Sequence, residues 1–253
     1  MKPFLVRTPD FQVSSGRIRV MWGLYGWLLA KGQIAFTNVG VNTESVGIYP
    51  EIFHGNDMHA SKVIRYILQT PGIMGAGQAD GTFEAGPTEF DPKDEKYVFS
   101  KVYDEWDTPD DHILFLPIIP LNVFKDQERV RNKVAFYVGK GTNLGKHPDD
   151  AIELTRQQTQ DQEWLAGFLN ECSVLYVYDR MSAIMEVARL CGCAVVYLGD
   201  LDKGELELYE PGMNGLGYKT ESKLDTKKFR EHYKDMIKTF EKKLDKMIED
   251  TQK

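Results

Sequence analysis

The chain has 253 residues, of which 42 % are hydrophobic and 27 % charged, a globular composition that fits one large domain or two compact ones and excludes a low-complexity chain. Thirty-one Lys and Arg stand against 38 Asp and Glu, a net charge of −7, so there is no general field for holding a polynucleotide and nucleic acid is not the favoured partner. The three cysteines, Cys172, Cys191 and Cys193, lack the paired spacing of a zinc site and lie in or beside apolar runs, which points to a reduced, cytoplasmic compartment.

The first residues reach Arg7 before any long apolar run, so no signal-peptide core is read there. Ser14-Ser15-Gly16 reads as a helix-entry or ligand-approach loop. Residues 17–30, with Ile18, Val20, Met21, Trp22, Leu24, Trp27 and Leu28, predict a short strand or turn feeding a buried helix that stops near Gly32. Residues 46–49 look extended and His54-Gly55-Asn56 is a turn. Val63, Ile64, Ile67 and Leu68 then recur at helical spacing within residues 60–69, ahead of the stop signals Pro71 and Gly72. Residues 75–92 are rich in Gly, Pro, Asp and Thr and read as the least structured part of the chain. Strands are expected at 96–102 and 112–117, and the Pro-interrupted, then charged stretch 117–133 marks a crossing between two lobes.

The second lobe reads as β-α units. A strand at 134–138 runs into the tight loop Gly139-Lys140-Gly141, followed by helices at 149–157 and 162–170. A strand at 173–178, the loop Asp179-Arg180-Met181, a helix at 182–191 capped by Gly192, and a buried strand at 193–198 complete the sharpest unit. Such short crossovers belong to parallel sheets covered by helices. Residues 223–253 place Phe229, Tyr233, Met236, Ile237, Phe240, Leu244, Met247 and Ile248 three or four apart, one long amphipathic helix. Residues 220–253 hold 10 Lys or Arg and 8 Asp or Glu. That near-balance favours a helix docked on its own body over an interfacial one, and peripheral membrane contact is the second reading. The resulting layout is 1–120, 121–219 and 220–253: a trimmed first lobe, a ligand-binding second lobe and a returning helix.

Ligands of open α/β sheets bind beyond the carboxyl ends of the strands. At Gly139-Lys140-Gly141 the glycines let backbone N–H groups approach an anion and Lys140 adds a charge suited to phosphate, the alternative being an ordinary turn with a solvated lysine. Asp179 and Ser182 are both good N-cap types for the following helix, whose free N–H groups and positive end suit a diphosphate. Glu186, one turn in, is placed either to accept hydrogen bonds from two sugar hydroxyls or to serve the helix dipole alone. Tyr178 either stacks on a base or caps the core.

The stretch from Tyr178-Asp179-Arg180-Met181-Ser182-Ala183 through Glu186 to Gly192 and Val195-Val196 resembles the donor-binding segment of GT-B glycosyltransferases, family 4-like, and Tyr137-Val138-Gly139-Lys140-Gly141 resembles the strand and loop that opens the same domain. The similarity covers roughly residues 134–198. It implies two compact Rossmann-like lobes with parallel sheets, in an unusually short member. It also implies a donor site of Gly139, Lys140, Gly141, Tyr178, Asp179, Ser182, Ala183 and Glu186, with Glu186 on the ribose and Lys140 on the diphosphate. Gly16 corresponds loosely to the family's glycine loop. Residues 52–56 resemble an acceptor-side loop, where His54 is a base, a sugar ligand or an ordinary loop histidine. Two departures stand out: Tyr178 sits eight before Glu186 where retaining members often carry a second glutamate, and Ala194 replaces a usual proline.

The implied activity is transfer of a sugar from a nucleoside-diphosphate donor to an acceptor, with charge on the leaving phosphate met by Lys140 and a helix end rather than by a metal or other cofactor. Asp200-Leu201-Asp202 has the spacing of a metal-binding D-x-D motif and is the fallback, although the acid-rich turn reads more simply as a solvated hairpin. The alternative function is a non-catalytic nucleotide-sugar-binding module or a subunit of a polysaccharide assembly complex, which shares the fold without turnover.

Overall fold

The computed structural model of the protein describes residues 1–9, 16–73 and 85–253. Among them are two five-stranded parallel sheets and five α-helices, an α/β structure. No helix among the described residues is long and apolar enough to cross a membrane. The chain divides into a first unit of Met1–Ile118 with Ile237–Lys253 and a second unit of Ile119–Met236. The C-terminal helix is therefore divided between the two units.

In the first unit the strands β1 (Phe4–Val6), β2 (Ala35–Thr37), β3 (Val46–Pro50), β4 (Lys62–Ile67) and β5 (Glu95–Val98) lie in the order β2-β1-β3-β4-β5. Helix α1 (Gly16–Ala30) buries Arg17, Val20, Met21, Leu24 and Leu28, a stripe at three- and four-residue spacing, and the chain leaves it at Gly32 with φ +70. That stripe packs on Phe4, Val6, Ile48, Ile64 and Tyr66 of the sheet, together with Phe240, Leu244 and Met247 of the last helix, α5 (Thr226–Gln252). Residues 60–69, expected as a helix, form β4: a parallel strand is covered on both faces, so its apolar run imitates helical spacing. Of residues 112–117, expected as a strand, His112 ends a 3-10 turn and 113–116 are buried against the sheet, with Val98–Ile113 as the single ladder bridge among the described residues. The strand expected over 96–102 ends at Val98, because the Ser100 side chain accepts from the Val102 N–H and starts a 3-10 turn.

Two buried ion pairs brace the loops of this unit. Arg17 Nε meets Glu51 Oε1 at 2.6 Å, and Glu51 Oε2 accepts the Leu68 N–H at 2.9 Å. Arg65 Nε meets Asp94 at 2.6 Å and donates to the Phe53 and Gly55 carbonyls at 3.1 and 2.5 Å. Pairing of opposite charges with added backbone hydrogen bonds is what makes such burial of charge tolerable.

The second unit contains β6 (Lys133–Tyr137), β7 (Ile152–Glu153), α2 (Gln162–Asn170), β8 (Cys172–Val177), α3 (Ile184–Leu190), β9 (Ala194–Tyr197), α4 (Lys203–Glu207) and β10 (Leu216–Tyr218). Its sheet order is β7-β6-β8-β9-β10, so each sheet reverses direction of growth at its first strand. Asp161 caps α2 by accepting the Trp164 N–H, and Gly192 with φ +84 ends α3. Residues 149–157, expected as a helix, form the edge strand β7 and a tight turn, in which the Thr155 and Gln158 side chains take the backbone partners a helix would need. Asp200-Leu201-Asp202 is not a hairpin: Asp202 caps α4 in a reciprocal capping box with Glu205.

Candidate functional site

At the reversal of the second sheet lie the carboxyl ends of β6 and β8, the crevice position at which open α/β sheets usually hold a ligand. β6 delivers Gly139-Lys140-Gly141 and β8 delivers the stretch from Tyr178 to Ser182. Gly139 has φ +58, a conformation that glycine adopts without strain. A Cβ on Gly139 would overlap the Asp179 carboxylate, and one on Gly141 would overlap the Tyr178 carbonyl oxygen. A Cβ on Gly199, in the loop after β9, would lie 2.7 Å from that same oxygen. Three glycines from two strand ends, those of β6 and β9, thus let their loops close on Tyr178 and Asp179 at the end of β8.

Asp179 is buried, and burial raises its carboxyl above the usual range. Four groups oppose that shift: the Lys140 backbone N–H and the Ser182 hydroxyl through hydrogen bonds, the Lys140 ammonium and the Arg156 guanidinium through charge. The carboxylate therefore ties the β6 loop to the β8 loop. Ser182 is committed to Asp179 and does not cap α3, whose N-cap position is taken by the exposed Ala183 without a side-chain bond. Lys140 is exposed at the mouth.

Tyr178 is 1 % exposed and packs with Phe136, Val174, Val196 and Leu198, so the core reading of this residue holds and its ring offers no face to a base. Its hydroxyl accepts the Lys146 N–H at 2.9 Å and bonds His147 Nδ1 at 2.8 Å. His147 in turn stacks on Phe136 at 3.7 Å. Tyr178 thereby fixes the outer part of the β6 loop.

Glu186 is engaged by other partners. It is buried within the second unit, where the Tyr209 hydroxyl donates to its Oε1 at 2.8 Å and the Tyr233 hydroxyl bonds it as well. Burial pushes its carboxyl up to about 7, against the pull of Tyr209 and the nearby Arg189. Arg189 is itself enclosed, donating to the carbonyls of Met185, Gly212 and Asn214 and lying 4.1 Å from the Phe229 ring centre. A tyrosine hydroxyl bonds the Glu186 oxygen that a sugar hydroxyl was expected to meet. Asp200 accepts from the Tyr197 hydroxyl at 3.2 Å, and Asp202 is engaged as a helix cap.

The two candidates of the first unit are placed as follows. Gly16 is the first residue of α1, with open space around its Cβ position, while Ser14 and Ser15 lie outside the described residues. His54 is exposed in the loop after β3, between the Phe53 and Gly55 carbonyls that hold Arg65.

No model of a known protein family matches the chain, and neither a curated protein nor a solved structure matches it. The site rests on its own geometry. That geometry brings together Gly139, Lys140, Gly141, Tyr178, Asp179 and Ser182, with Ala183 beside them, and leaves Glu186 in the core. It adds His147 and Arg156, which sequence reasoning missed. No spacing marks His147, and the helix expected over 149–157 concealed that Arg156 sits in a strand-end loop.

Proposed function

We propose that the crevice between β6 and β8 binds the diphosphate of a nucleotide-activated sugar, and that the protein is a metal-independent glycosyltransferase of GT-B type. The observation that carries this reading is the convergence of two sequence-distant loops, Gly139-Lys140-Gly141 and Asp179 to Ser182, at the reversal point of a parallel sheet. The chemistry follows from the leaving group. Breaking the bond between sugar and diphosphate leaves negative charge on a phosphate oxygen, and a cation held ready at that oxygen lowers the barrier. Lys140 supplies the cation, and Asp179 fixes the loop that carries it by accepting the Lys140 backbone N–H.

The test is release of nucleoside diphosphate from a panel of uridine, guanosine, adenosine and thymidine diphosphate sugars, with and without a chelator. Chelator-insensitive turnover that falls at least ~10-fold in Lys140→Ala supports the reading, and turnover abolished by the chelator overturns its metal-independent form. The occupation of Glu186 by Tyr209 favours a second reading, a nucleotide-sugar-binding module without turnover. Saturable binding of the panel with no product formed selects that reading.

A further inference from the structure

We infer that Arg156, in the loop after β7, is a second cation of the crevice and binds phosphate oxygens of the ligand there alongside Lys140. The inference rests on reading that crevice as a phosphate site.

β7 pairs in parallel with β6, Phe136 opposite Glu153, so its carboxyl-end loop emerges beside the loop that carries Lys140. The Leu154 N–H donates to the Phe136 carbonyl at 2.8 Å and the Leu154 side chain is buried, which pins the start of the turn. Beyond it the turn is densely bonded. Gln158 Oε1 accepts from the Thr155 N–H at 2.9 Å and from its hydroxyl at 3.0 Å, and the Thr155 hydroxyl accepts the Gln158 N–H at 3.2 Å. The Arg156 carbonyl accepts from the Thr159 hydroxyl at 2.9 Å and from Gln160 Nε2 at 3.1 Å. The Thr159 hydroxyl also bonds the hydroxyl of Tyr137, the last residue of β6.

The backbone of Arg156 is therefore fixed to the end of β6, while its side chain is exposed. The second unit holds six arginines. Arg129, Arg131 and Arg180 bond the carboxylates of Glu171, Asp126 and Glu205, and Arg189 and Arg230 bond backbone carbonyls. Arg156 alone has no side-chain hydrogen bond or ion pair among the described residues. The groups that feel its charge are the Asp179 carboxylate and the Tyr137 hydroxyl, both at the crevice. In a chain with 38 acidic residues against 31 basic ones, an arginine left unpaired on a rigid turn is available to an external anion. A guanidinium presents paired N–H donors that match phosphate oxygens, which an ammonium does not.

Calorimetric titration of the full chain with inorganic pyrophosphate and with UDP, GDP and ADP tests this. Arg156→Ala is expected to weaken pyrophosphate and the bound nucleoside diphosphate about 10-fold or more, the loss of a charge-assisted contact. Arg156→Lys is expected to recover part of that affinity, and Lys227→Ala, which removes an exposed charge elsewhere in the unit, none of it to lose. Unchanged affinity in Arg156→Ala, with its melting curve also unchanged, overturns the role of Arg156 and leaves the nucleotide reading standing. Arg156-dependent binding of pyrophosphate with no binding of any nucleoside diphosphate keeps the role and overturns the nucleotide reading. Absence of binding for every probe overturns both.

Discussion

A carboxyl group shut away from water resists ionising, and Glu186 combines that penalty with hydrogen bonds from two tyrosines and the charge of Arg189; Glu210 is the nearby like charge. The sign of the effect on stability follows directly. Below about pH 4.5 the group is protonated in the folded and the unfolded chain alike. As pH rises from there to about 7 the unfolded chain releases the proton while the folded one holds it, so stability falls, and above about 7 the loss is complete. The full loss is ~3 kcal/mol. Glu186→Gln removes this titration: denaturant unfolding at pH 5 and pH 8 should show wild type losing stability relative to the variant by an amount of that order. A difference between the two proteins that does not change with pH would contradict the assignment. This burial was hidden in the sequence, because Tyr209 and Tyr233 lie 23 and 47 residues downstream and no local pattern ties them to an acid in the first turn of a helix. Asp179 and Lys140, by contrast, were legible, since they sit where a strand pattern stops.

Among the elements, the strand-end loops carry the proposed site, and glycine is what permits them to meet. Gly141→Ala would drive a methyl group into the Tyr178 carbonyl, which belongs to a buried, packed segment that cannot yield as a flexible side chain would. The expected cost is about 1–3 kcal/mol in stability, with a fall in ligand affinity because the Lys140 loop is displaced; chemical unfolding and titration of the same variant check both. Gly26→Ala, at an open position inside α1, should instead be neutral or stabilising by up to ~1 kcal/mol. The helices α1 and α5 and the strand-helix-strand run from β8 to β9 were readable because each has a long or sharply bounded apolar pattern. β4 and β7 were not. The first is an apolar run compatible with either period, and the second has only two residues and draws its definition from β6.

At the scale of the molecule, two parallel sheets of the same strand order account for a length that falls between one domain and two. The amphipathic stripe of α5 foretold a docked helix, but only the fold reveals that Phe229 and Tyr233 serve the second unit while Phe240, Leu244 and Met247 serve the first. Phe240 is 1 % exposed, and Phe240→Ala should cost the first unit about 3–5 kcal/mol, measured by urea unfolding; a cost under ~1 kcal/mol would contradict this assignment of the helix. The central claim is that the second unit's crevice holds a nucleoside diphosphate, and calorimetric titration of the full chain with UDP, GDP and ADP in the presence of a chelator tests it most directly. The account predicts saturable binding of at least one of them, weakened about 10-fold or more in Lys140→Ala. Failure of all three to bind, or equal affinity in wild type and Lys140→Ala, would contradict it.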